Sequence, residues 1–209
     1  IVSECGAPEL NQLAYFKVGA AHIAGKHVRA ARMSYVGEPG WEITMKAENA
    51  VTIYMALVNA GARPAGLYAQ TSMRIEKGFC AMGHELDSDV SPVDTGLDFA
   101  TRKEGGFIGA EALAERRKIK GSLSLISLKF HDEKAVPLGH EPIYYDGDII
   151  GQTSSCAFGY RIGKPVALGK VHNRPSSGTA VKVDIARQLF DATLFTCPLF
   201  DAKAQRMKS

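Results

Sequence analysis

The sequence predicts an α+β protein, with a strand-and-helix unit over residues 1–120 and an all-β unit over residues 121–209. Three observations carry this. Residues 11–45 hold β-forming runs broken at glycines, residues 47–77 hold helical periodicity, and the chain after Lys120 alternates in short bursts with no helical period.

The first run, Leu13 to Val18 (LAYFKV), is rich in strand-forming residues. His27 to Tyr35 alternates in part, with Val28, Ala30 and Arg32 on one side, and WEITM follows the Gly37–Gly40 turn. Residues 27–45 therefore predict a hairpin. Ala47 to Ala60 places Ala47, Val51, Tyr54, Met55 and Val58 on one helical face and stops at Gly61. A second helix is predicted from Pro64 to Lys77, closed by Gly78, and a third from Gly109 to Lys118. The cluster Arg116-Arg117-Lys118 with Lys120 reads as the solvated end of that third helix. Beyond it, Leu123 and Leu125 alternate with serines before the phase slips to Ile126, Leu128 and Phe130, as at a bulge or a strand covered on both faces. Asp146-Gly147 between Tyr144-Tyr145 and Ile149-Ile150 supplies the positive φ values of a type I′ hairpin turn. Further strands fit Val166–Val171, Ala180–Ile185 and Ala192–Thr196, giving a small barrel or sandwich.

A net charge of +3, scattered along the chain, argues against a nucleic-acid partner. No apolar run approaches the length of a membrane span, and no signal segment opens the chain. Cys5, Cys80, Cys156 and Cys197 lie far apart, which reads as free thiols in a reducing compartment. The six histidines show no ligand spacing such as H-x-x-x-H, so no metal site is expected. The chain opens at Ile1 rather than Met, as expected of a processed chain or a piece of a longer protein.

The stretch SYVGEPGWEI, Ser34 to Ile43, is denser in polar and aromatic residues than a turn requires. Gly37 and Gly40 suffice for the turn, and Glu38 reads as a turn-capping carboxylate. Glu42, flanked by Trp41 and Ile43, reads differently. A carboxylate in a poorly hydrated place is costly unless charge-assisted donors meet it. Two adjacent N–H groups on a flat heterocycle match its two oxygens, each bond contributing roughly 1.5–3 kcal/mol. Tyr35 can flank the same ring.

SYVGEPGWE resembles the signature of the glycine-cleavage T-protein (aminomethyltransferase) family. GLYAQTSMRIEKG (Gly66 to Gly78), GHELDSDVSPVDTGL (Gly83 to Leu97), FIGAEAL (Phe107 to Leu113) and GQTSSCAFGYRIGKPVALGKV (Gly151 to Val171) are similar to four further family motifs, in the same order. The variants are most similar to the tetrahydrofolate domain that ends FAD-dependent dimethylglycine and sarcosine dehydrogenases. The resemblance implies a partial T-protein-like folate-binding α/β domain followed by a small β-barrel, with Glu42 on the amino-pyrimidine edge of tetrahydrofolate, Tyr35 beside it, and Gln70 and Arg74 completing the cofactor-binding set. It implies one-carbon transfer from an amine-derived donor to folate, with FAD confined to a region outside this chain. Its partner is the remainder of the same polypeptide or another subunit, and its compartment the cytoplasm or the mitochondrial matrix.

Two departures bound this. The family arginine that meets folate falls on Gln70, which keeps a donor and loses the charge, and the adjoining aspartate falls on Thr71. The resemblance puts the family residue that orients the transferred carbon well before the signature, further than the residues preceding Ser34 reach, so no catalytic residue is assigned and the chain alone is expected to be inactive. Arg74 and Glu76 are expected to form an ion pair. The alternatives are a non-catalytic folate-binding or scaffold module and a folate protein linked to iron–sulfur enzyme maturation. The latter would need an exposed Cys80, which reads instead as a buried thiol.

Overall fold

The computed structural model describes residues 1–119 and 123–208. Lys120, and the boundary drawn after it, lie outside the described residues. The chain forms two compact units, Ile1–Gln70 with Lys203–Ser209, and Thr71–Ala202.

In the first unit, strands β1 (Val18–Ile23), β2 (Lys26–Arg32) and β3 (Trp41–Met45) form an antiparallel sheet in that order. The hairpin over residues 27–45 is present, with Arg32 opposite Trp41 and Val28 opposite Met45. The strand expected at Leu13–Val18 is displaced. The chain bends there, with Phe16 at φ 63°, and pairing starts only at Val18. Alternation gives the sheet one apolar face, Ala21, Ile23, Val28 and Ala30, which packs on Leu10 and on helix α1 (Ala50–Asn59).

Helix α1 buries a second apolar face. Ile53 is 1% exposed, and Ala56, Leu57 and Ala60 pack beside it. The predicted stripe points outward, with Val51, Tyr54 and Met55 at 75%, 52% and 46% exposure. Both sets follow the i, i+3, i+4, i+7 spacing, so periodicity alone cannot choose between them.

Helix α2 (Leu67–Glu76) leads into the second unit, where α3 (Ala110–Lys118) precedes the barrel. Strands β4 (Ser124–Phe130), β5 (Pro142–Tyr145), β6 (Asp148–Gly159), β7 (Lys164–Val171), β8 (Thr179–Ile185) and β9 (Gln188–Phe195) close in the order β4-β7-β6-β5-β8-β9. The fold is thus the expected α+β class ending in a closed barrel. Its interior is filled by Ile126, Leu128, Phe130, Ile143, Val171, Val183 and Leu194. Asp146 and Gly147 take φ 51° and 91°, as the type I′ reading required. In β4, Ser127 is buried between Ile126 and Leu128, so this strand is covered on both faces.

Candidate functional site

The signature turn is built by Ser34, whose Oγ accepts from the amides of Val36 (3.3 Å) and Gly37 (2.9 Å). Gly37 sits at φ 78°, which explains the glycine. The Glu38 carboxylate pairs with Arg206 at 2.8 Å. Trp41 turns inward, donating Nε1–H to the Leu10 carbonyl at 3.0 Å, with the Arg32 guanidinium 4.5 Å from its ring centroid.

Alternation then decides Glu42. Trp41 and Ile43 face the packed side, so Glu42, opposite Ala31, faces the open side of the sheet with Thr44, Arg29 and Val18. Its sequence neighbours are not its spatial neighbours, and it is exposed rather than held in an apolar environment within these residues. Among the described residues no hydrogen bond or ion pair engages its carboxylate. Tyr35, just before the turn, is 38% exposed, and Gln70 is exposed on α2.

Arg74 and Glu76 are buried but do not pair with each other. Positions i and i+2 of a helix point apart. Arg74 Nη1 meets Glu85 at 2.9 Å and the Phe79 carbonyl at 3.2 Å, and Nη2 meets Ser155 Oγ at 2.8 Å. Glu85 accepts in addition from Ser154 Oγ at 2.6 Å and the Ala81 amide at 3.0 Å. Burial raises the Glu85 carboxyl, but the Ser154, Ser155 and Ala81 hydrogen bonds and the Arg74 charge outweigh it and hold it below the usual carboxylate range. Consecutive strand residues ordinarily point to opposite faces. A register shift in β6 between Thr153 and Cys156 lets Ser154 and Ser155 serve one ion pair. Glu76 is fully buried and goes to Arg161. Sequence reasoning missed Glu85, Ser154, Ser155 and Arg161; the motifs contain them, but nothing in linear spacing pairs them.

Cys80 and Cys156 have raised thiol pKa values, to about 11 and about 12. Burial is the main cause, followed by the Glu85 charge for Cys80 and the Glu141 charge for Cys156. Neither has thiolate character at neutral pH. Because folding holds these protons more tightly, the stability linked to them is complete below the ordinary 9.0 and is lost as pH rises toward 11 and 12. Urea midpoints are expected to fall on going from about pH 8 to about pH 11, and the double variant Cys80→Ala/Cys156→Ala is expected to fall less. Equal losses would exclude the thiols as the cause.

A groove of about 960 Å³ in the second unit, lined by Arg102, Phe107, Ile108, Ala110 and Arg117, contains none of the predicted site residues. No group of three or more His, Cys, Asp or Glu side chains among the described residues is arranged to hold a metal ion. Among the described residues no helix is long and apolar enough to cross a membrane.

Comparison with known proteins adds an independent line. Residues 3–105 match the family model described as the GCVT N-terminal domain, and residues 124–201 match the glycine cleavage T-protein C-terminal barrel domain. The mitochondrial dimethylglycine dehydrogenase of Homo sapiens is 35% identical over 193 residues, covering 88% of this chain and 22% of that protein. An aminomethyltransferase of Exiguobacterium sibiricum is 26% identical over 201 residues, covering 96% of this chain and 56% of its own length. The crystal structure of the glycine cleavage system aminomethyltransferase T from Bartonella henselae superposes with a TM-score of 0.84 at 25% identity, over 96% of this chain and 56% of that one. The chain therefore spans from about a fifth to just over half the length of these relatives. The two domain matches come in order and meet the strand–helix part and the barrel respectively, and on them the chain belongs to the glycine cleavage T-protein family.

Proposed function

We propose that this chain is a tetrahydrofolate-dependent one-carbon transfer module, the C-terminal part of a longer T-protein-like or dimethylglycine dehydrogenase-like enzyme. Residues 1–120 form its folate-binding domain and residues 121–209 its barrel domain. One observation carries the assignment of the ring-binding group. Of the two glutamates in the signature stretch, Glu38 has a cationic partner within the protein, whereas the Glu42 carboxylate has none among the described residues. Two oxygens on a rigid strand, free of protein donors, suit the paired N–H groups of a pterin. Tyr35 supplies an aromatic edge beside that strand, and Gln70 a neutral donor for the rest of the ligand. Arg74 is the fourth residue of the proposed set, and its guanidinium is held by Glu85 and Ser155.

An exposed carboxylate binds a ring weakly, because water competes for both partners. The open face of β3 therefore works only when another surface excludes water from it, and the proposed source is the remainder of the enzyme. N5 of bound tetrahydrofolate supplies the nucleophile for an aminomethyl or iminium carbon. The residues of this chain hold and orient the ring and contribute to excluding water, which prevents loss of the carbon as free formaldehyde. In a dehydrogenase of this kind FAD would lie outside these residues.

Calorimetric titration of tetrahydrofolate into the full-length protein tests the reading. Glu42→Ala is expected to weaken binding at least tenfold, since one charge-assisted hydrogen bond contributes roughly 1.5–3 kcal/mol. Equal affinity of the two proteins would remove Glu42 from the pocket.

A further inference from the structure

We propose that His22 and His27 form a two-imidazole site for a divalent transition-metal ion on the β1–β2 hairpin. The turn consists of Ala24 and Gly25 at φ 49° and 70°, the positive pair of a two-residue type I′ hairpin. Ile23 and Lys26 flank the turn, and His22 pairs directly with His27 one step further out. That step alternates into the non-hydrogen-bonded register, in which opposed Cα atoms approach to about 4.5 Å and the side chains run closest together. The two rings already meet edge to face, with centroids 5.5 Å apart and planes at 76°. Both residues are exposed on the open side of the sheet, so solvent ions reach them without any rearrangement of the core.

Metal–nitrogen bonds of roughly 2.0–2.1 Å on adjacent coordination positions bring two imidazole centroids to roughly 4.5–5 Å. Rotation of two exposed side chains closes the remaining gap. Imidazole is a borderline ligand that suits Zn²⁺, Ni²⁺ and Cu²⁺, with Cu²⁺ held most tightly. The other coordination positions go to water. Arg29 lies on the same face two residues beyond His27 and opposes a cation, so the affinity is that of a chelate formed against one repulsive charge. Such an ion ties β1 to β2 across their turn and stabilises the folded state by mass action. Linear spacing gave no sign of the pair, because H-x-x-x-x-H has no helical meaning and the two rings meet only when the hairpin closes.

The test is independent of folate binding. Nickel chloride and copper chloride are titrated into the native chain, His22→Gln, His27→Gln and the double variant, followed by calorimetry and by the thermal unfolding midpoint. His84→Gln serves as the control for ordinary surface histidines. The native chain and the control are expected to bind one ion per molecule and unfold at higher temperature with metal. Each single variant is expected to bind more than tenfold more weakly, and the double variant to lose both the binding and the thermal shift. Single variants matching the native affinity would show isolated histidines binding separately and overturn the chelate. Unchanged binding by the double variant would overturn the site.

Discussion

Glu76→Ala is expected to destabilise the protein by about 3–5 kcal/mol, the ordinary result of removing one partner from a buried ion pair. Glu76 is fully buried, and its carboxylate is used completely. Oε1 accepts from the amides of Arg161 at 2.7 Å and Ile162 at 3.1 Å, and Oε2 accepts from Arg161 Nε at 2.5 Å. Removing it strands two backbone amides as well as a guanidinium that also donates to the Met73 carbonyl and stacks 3.7 Å from the Phe200 ring. The urea midpoint of the second unit reads the effect. Glu76→Gln is expected to recover part of the loss, because an amide oxygen can still accept from the two backbone groups. A midpoint unchanged by the alanine substitution would show that the pair contributes nothing beyond its own desolvation.

Gly151→Ala is the second large effect, expected at about 3 kcal/mol or more of lost stability. A Cβ at this position would stand 2.0 Å from the Lys170 carbonyl oxygen and 2.8 Å from the Val171 Cα. Both are backbone atoms of β7, so no side chain can move aside. The crowding follows from the register. β6 shifts its pairing with β5 between Ile143 and Tyr144, and Gly151 lies at that irregularity while also pairing with Val171. Gly66→Ala is the matched control, since nothing lies within 4 Å of its added Cβ. Urea unfolding of the two variants is expected to separate them by most of the effect. Comparable midpoints would mean that β6 and β7 can separate without loss of the barrel.

The sequence showed clearly those features that a local rule governs. Asp146-Gly147 announced its turn because only residues tolerant of positive φ fit there, and Gly61 and Gly78 closed their helices at φ 95° and 69°. The turn between β8 and β9 gave no such sign: Ala186 and Arg187 adopt φ 52° and 66° without a glycine. Most of β6 was missed because Gly-Gln-Thr-Ser-Ser-Cys is polar. Its serines are inside because an ion pair from elsewhere in the chain meets them. The signature stretch was legible only through its likeness to a family. Sequence order sets Glu42 among apolar neighbours, whereas strand alternation turns it away from them. Long-range pairings such as Glu76 with Arg161, 85 residues apart, leave no trace in local pattern.

Helix α1 carries two apolar stripes, and they answer to different laws. Covering Ile53 and its neighbours is a unimolecular event, complete when one chain folds and indifferent to dilution. Covering Val51, Tyr54 and Met55 requires a surface that these residues do not supply. Where that surface belongs to a separate molecule, its occupancy rises and falls with concentration. One ten-residue helix thereby divides its side chains between those that set whether the unit exists and those that set what it meets.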